Sequence, residues 1–205
     1  MSTTKDQNKE KFIELLRETG RKGIDEVIAK ISELGFFDAP ASTKFHLSYE
    51  GGLLEHSIGV CRTAIMMRNM IIRIRPELEQ HLPYDSVVIA SLLHDVCKAE
   101  IYKRIIKHRK NERGTWEDYW GYDADYSLLP IGHGEKSVIV LLRAGLELTD
   151  EEILAIRWHM SAWDLPFQSW EQRENLNAAR AKSPLCGLLQ AADGLSAGVL
   201  ELTVE

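Results

Sequence analysis

"YDSVVIASLLHDVCK", residues 84–98, carries apolar side chains almost all the way round a helical wheel. A helix without a polar face has to be covered on every side, so this one is expected at the centre of a helical body. Inside it stand His94 and Asp95. A carboxylate within such a helix is costly unless it is paired or bound to a cation. Something of positive charge must therefore face Asp95.

Upstream, "GGLLEHSIGV" (residues 51–60) opens a helix expected from about Gly52 to Ile74 and stopped near Pro76. Leu53, Val60, Ala64, Met67 and Ile71 share one helical row, and His56 falls in it. A lone histidine on such a face is most often a satisfied core residue. Residues 8–19 and 23–34 predict two short amphipathic helices, broken at Gly20 and Gly23 and ended by Gly35, with a loop over 36–52. Downstream, 101–108 and 115–122 are rich in aromatic and β-branched residues around a Gly-containing turn, which predicts a β-hairpin. A helix follows Pro130, Gly132 and Gly134, and Thr149 with Glu152 makes a capping box for "EEILAIRWHM". "SAWDLPFQSWEQRENL" (161–176) reads as a loop, and a last helix is expected from about Ser183 to Leu202 with Pro184 in its first turn. The expected class is all-α with one small hairpin insertion, in a single domain over 1–205. An N-terminal helical pair (1–35) would precede a helical core (36–202).

Composition narrows the partners. The 205 residues are 44% hydrophobic and 27% charged, as in ordinary globular chains. No apolar run nears the roughly 20 residues needed to cross a bilayer, and the polar start lacks a secretory signal. Cys61, Cys97 and Cys186 are odd in number and lie in apolar patterns, so reduced, buried thiols of a cytoplasmic protein are expected. A net charge of −6 argues against a broad duplex-binding surface but leaves room for a small anionic substrate.

His56, His94, His133 and His159 all lie on or beside predicted helices, and Asp193 interrupts "LLQAADGLSAG" as Asp95 interrupts its own helix. Imidazole nitrogen and carboxylate oxygen together suit a first-row divalent metal. His94 and Asp95 differ by about 100° around a helix and can still reach one ion beside it. Asp95, with two oxygens, has the means to bridge two ions. Lys98 shares the Asp95 face, to neutralise it or to bind a phosphate oxygen.

This ordered set, H…HD…H…H…D with "LLHDVCK", resembles the HD superfamily of metal-dependent phosphohydrolases. "GGLLEHS" resembles the first-histidine motif of its exoribonuclease-like and bacterial hydrolase members; "GHGEKS" and "AIRWHM" are similar to segments of small bacterial proteins in that group. The likeness spans roughly residues 36–200. It implies a helical bundle with a metal centre where several helices meet. Position by position, His56, His94, Asp95 and Asp193 match the ligands of a first ion, and Asp95, His133 and His159 those of a second. Two divalent transition-metal ions (iron, manganese, zinc, nickel or cobalt) are implied. So is a hydrolase that cleaves a phosphomonoester or phosphodiester of a nucleotide or short nucleic-acid end with metal-activated water. Asp95 and Lys98 would be catalytic; Lys98, His46 and Lys136 are the candidate substrate contacts.

Other readings stay open at this level. Some members of the superfamily resemble this ligand set yet use a mixed-valence di-iron centre to oxygenate a small substrate, and a regulatory module could keep the metal for stability alone. Lys136 has an ordinary alternative in pairing with Glu135, and Arg157 in capping its helix. Trp158, Trp163 and Trp170 read as core rather than as a base-stacking platform, with a nucleotide base near Trp163 or Phe167 as the alternative. A small anionic substrate, a nucleotide first and a short single-stranded RNA second, is the expected partner, with neither duplex nucleic acid nor membrane.

Overall fold

From Ser86 to Leu93 every residue of the central helix is buried, as its all-round apolar character demands. The computed structural model describes residues 4–161 and 169–202. The elements run α1 (Thr4–Glu18), α2 (Ile24–Glu33), α3 (Gly52–Ile74), a 3₁₀ turn (Pro76–His81), α4 (Tyr84–Leu93), α5 (Lys98–Ile101), β1 (Tyr102–Lys110) and β2 (Trp116–Ala124). They continue with α6 (His133–Arg143), α7 (Asp150–Arg157), α8 (Trp170–Lys182), α9 (Pro184–Leu195) and a wide π turn (Ser196–Leu200). The protein is mostly helical, with one two-stranded antiparallel sheet among the described residues. No described helix is long and apolar enough to cross a membrane.

α3 lies against α4 and α9, α4 and α9 both pack on α7, and α6 packs on α7. Leu53, Val60 and Ala64 of the α3 row are buried, while Met67 and Ile71 are only partly covered. The three cysteines are free and buried. The α3 start is steric: a Cβ on Gly52 would sit 2.0 Å from Leu47 O, so only glycine lets the incoming loop close over the helix.

Two sequence expectations need correction. The helix beginning at Tyr84 ends at Leu93, and residues 94–97 form a tighter turn before α5. There Lys98 N bonds to Asp95 O at 2.9 Å, while Ser91 O accepts the His94 ring at 2.8 Å. The second correction is α8, which occupies part of the expected 161–176 loop. Its polar sequence buries only Leu176 and Ala179, so it shows little apolar periodicity, and Ser169 caps it by accepting from Gln172 N at 3.3 Å.

The N-terminal pair is fastened to α7 by one buried ion pair. Both Arg21 terminal nitrogens reach Glu152 at 2.7 Å, and the same carboxylate closes the capping box by accepting from Thr149 N at 2.9 Å. Glu152 is fully buried. Glu152→Ala is expected to cost about 3 kcal/mol, because it strands a partly buried guanidinium and opens the cap together. A denaturant midpoint equal to wild type would remove this pair from the stabilising contacts.

Candidate metal centre

The central histidines are held by their Nδ1 atoms. His94 Nδ1 donates to Ser91 O at 2.8 Å, His159 Nδ1 to Ile156 O at 2.7 Å, and His56 Nδ1 to Glu201 Oε1 at 2.9 Å. Carbonyl and carboxylate oxygens only accept, so a proton sits on each Nδ1 and each ring turns its Nε2 inward.

Asp95 is where those Nε2 atoms meet. Its Oδ2 lies 3.2 Å from His94 Nε2 and 3.7 Å from His56 Nε2; its Oδ1 lies 3.5 Å from His159 Nε2 and 3.8 Å from His133 Nε2. Asp193 Oδ1 completes the first side, 3.3 Å from His56 Nε2 and 3.9 Å from His94 Nε2. The two oxygens of one carboxylate thus face two separate donor groups. The six candidate ligands come from five places: His56 from the second turn of α3, His94 and Asp95 from the turn after α4, His133 from the start of α6, His159 from just beyond α7, and Asp193 from the last turn of α9.

The donor set fits metal ions. His56 Nε2, His94 Nε2 and Asp95 Oδ1 are buried without a hydrogen-bond partner, which proteins rarely tolerate. His133 Nε2 and His159 Nε2 face each other at 3.1 Å, an approach that needs a proton or a cation between two lone pairs. Grouped by mutual reach, His56, His94 and Asp95 could hold one ion, and Asp95, His133 and His159 another. The electrostatics make the same demand. Burial alone would raise the Asp95 carboxyl, but Lys98 and His94 hold it well below the usual range. Burial likewise opposes a charged His56, yet Asp193 and Glu201 lift its pKa to about 9.

Lys98 Nζ pairs with Asp95 Oδ2 at 2.6 Å; burial works against the charged ammonium, but Asp95 with Tyr102 and Asp193 together raise its pKa. Both groups open onto a cavity of about 780 Å³. Tyr102, Tyr126 and Ile131 line it, as do Gly194 and Gly198. His46 also lines this cavity, its ring 5.1 Å from that of His56; burial and the charges of His56 and Lys98 lower its pKa.

Lys136 lies elsewhere. It is buried, donates to Leu128 O at 2.5 Å and pairs with Glu100 at 3.4 Å, so it holds the loop before α6 instead of lining the cavity. Arg157 pairs with Glu135 and stacks 4.0 Å above the buried Trp158. Trp170 is exposed, while Trp163 and Phe167 lie outside the described residues. Glu201, which orients His56, has no motif around it and is 145 residues away in sequence. It arrives there because the π turn ends with Glu201 N on Ser196 O at 3.0 Å.

No family model and no solved structure matches the chain. Over 94 residues the chain is 32% identical to a curated protein of Methanocaldococcus jannaschii, dihydroneopterin 2',3'-cyclic phosphate phosphodiesterase. The match covers 46% of this chain and 34% of the relative, so the chain accounts for about a third of that protein's length.

Proposed function

We propose that this chain is a metal-dependent phosphodiesterase acting on nucleotide-like phosphate esters. The observation that carries this reading is Asp95, with one oxygen toward His56 and His94 and the other toward His133 and His159. The partial likeness to a cyclic phosphate phosphodiesterase supports the same reaction class. His56, His94, Asp95 and Asp193 hold the first ion; Asp95, His133 and His159 hold the second. Such ions supply Lewis-acid charge for a phosphoryl group and lower the pKa of water that attacks it.

The remaining work falls to the chain itself. Glu201, Ser91 and Ile156 fix the imidazole orientations, which preserves ligand geometry without reorganisation. Lys98, paired with Asp95, lines the same cavity and offers charge to a bound phosphate oxygen. The aromatic and glycine walls leave room for a planar substituent on the ester.

Chelated protein should not hydrolyse bis(p-nitrophenyl) phosphate or 2',3'-cyclic nucleotides, and one of manganese, iron, zinc, nickel or cobalt should restore turnover. Fully loaded protein that is inert toward every phosphate ester, yet oxidises a small substrate with iron and oxygen, would replace hydrolysis with oxygenation. Lys98→Met is expected to lower turnover about 10- to 100-fold while both ions remain bound. Parallel loss of metal and turnover would limit Lys98 to neutralising Asp95.

A further inference from the structure

The β1–β2 hairpin exposes more aromatic surface than the fold needs. Its register pairs Ile106 with Trp120, Lys110 with Trp116 and Arg104 with Tyr122, which places all of these on one face. Trp116 is 66% exposed, Trp120 60% and Ile106 52%. Cations are interleaved among the rings: Arg104 stacks 4.8 Å from Trp120 and Lys110 5.5 Å from Trp116. The acid on this face, Asp118, is paired with His108 at 2.6 Å. Over residues 102–124 the hairpin carries six Lys and Arg against four acids, within a chain of net charge −6. The same face begins at Tyr102, which lines the metal-centre cavity beside Lys98.

We propose that this face binds a single-stranded oligonucleotide and guides its end into the cavity. Exposed rings give bases stacking partners, and neighbouring cations meet the backbone phosphates without reading sequence. A bilayer is an alternative occupant that the vesicle measurement below tells apart, since rings beside cations also suit a headgroup layer. A second copy of the chain would bring Arg104 and Lys110 of one face against the same cations of the other, with Asp118 already paired to His108. Duplex contact is not required: the basic surface is a narrow hairpin on an otherwise acidic chain. The inference rests on the phosphodiesterase reading for the fate of the strand, whereas docking itself is independent of turnover.

The test separates the two. Fluorescein-labelled dT12 and rU12 are titrated into the full chain in EDTA at low salt, with anisotropy as the readout. The wild type should bind, and the sugar bound more tightly identifies the strand as DNA or RNA. Trp116→Ala combined with Trp120→Ala should weaken binding at least about tenfold. Arg104→Gln should reduce the slope of log affinity against log salt by about 0.7. In metal-loaded protein, turnover of bis(p-nitrophenyl) phosphate should persist in the double variant, which shows that its cavity is intact. Absence of wild-type binding, or binding by the double variant at wild-type strength, overturns the proposal. So does a result in which the tryptophan substitutions alter vesicle binding or oligomeric state and leave oligonucleotide affinity untouched. Binding that survives in EDTA while no loaded protein hydrolyses any ester would refute the phosphodiesterase reading and leave the docking face standing.

Discussion

Asp95→Ala is expected to leave the protein without either ion and to lower phosphodiester turnover by at least about a thousandfold. The reason is geometric. His56 and His94, which Asp193 also approaches, face one oxygen of Asp95, while His133 and His159 face the other, so one substitution opens both groups. His133→Ala or His159→Ala touches only one side and should leave about one ion per chain. Removing Asp95 also strands the Lys98 ammonium, which is largely buried, at a cost of several kcal/mol. Asp95→Ala combined with Lys98→Met removes both charges and serves as the folded control. Metal analysis decides the matter: two ions bound to either folded variant would refute the shared-carboxylate arrangement.

The second large effect lies in a glycine. A Cβ on Gly134 would stand 2.4 Å from Arg157 O and 3.0 Å from Ile156 O, both backbone atoms of α7 that cannot rotate away. Ordinary contact begins at 3.4 Å, so Gly134→Ala has to push α6 from α7 by about 1 Å. His133 adjoins that glycine in α6, and His159 lies two residues past the end of α7 at Arg157, so their 3.1 Å approach opens with it. The variant is expected to lose about 2–4 kcal/mol of stability. It should also bind the ion shared by His133 and His159 more weakly than the ion beside His56. Gly187→Ala is the matched control: nothing lies within 4 Å of its added methyl, and in α9 it should be neutral or stabilising by about 0.5–1 kcal/mol. A Gly134→Ala midpoint and metal stoichiometry identical to wild type would show that α6 and α7 accommodate the methyl freely.

Where apolar spacing was strong, the sequence was readable. α3 runs from Gly52 to Ile74 as its row and Pro76 suggest, the hairpin falls close to its expected bounds, and Thr149 with Glu152 caps α7. α8 was hidden because a surface helix that buries only Leu176 and Ala179 leaves no apolar stripe to detect. The stop at Leu93 was hidden for the opposite reason: Val96 and Cys97 continue the apolar pattern through the turn. Lys136 could not be placed because its partners, Leu128 O and Glu100, belong to other segments.

By itself, the sequence determined the kinds of donor available and the cost of burying them: imidazoles and two acids in apolar helical settings, with Lys98 within a turn of Asp95. Which atom of each candidate ligand faces which oxygen of Asp95 was decided only by tertiary structure. So were the carboxylate of Glu201 behind His56 and the continuity of the hairpin face with the cavity. Periodicity reports which side of one element is apolar, since burial acts on each residue locally. Convergence depends on how separate elements pack, and small contacts between distant backbones, such as Gly134 against Arg157, set that packing.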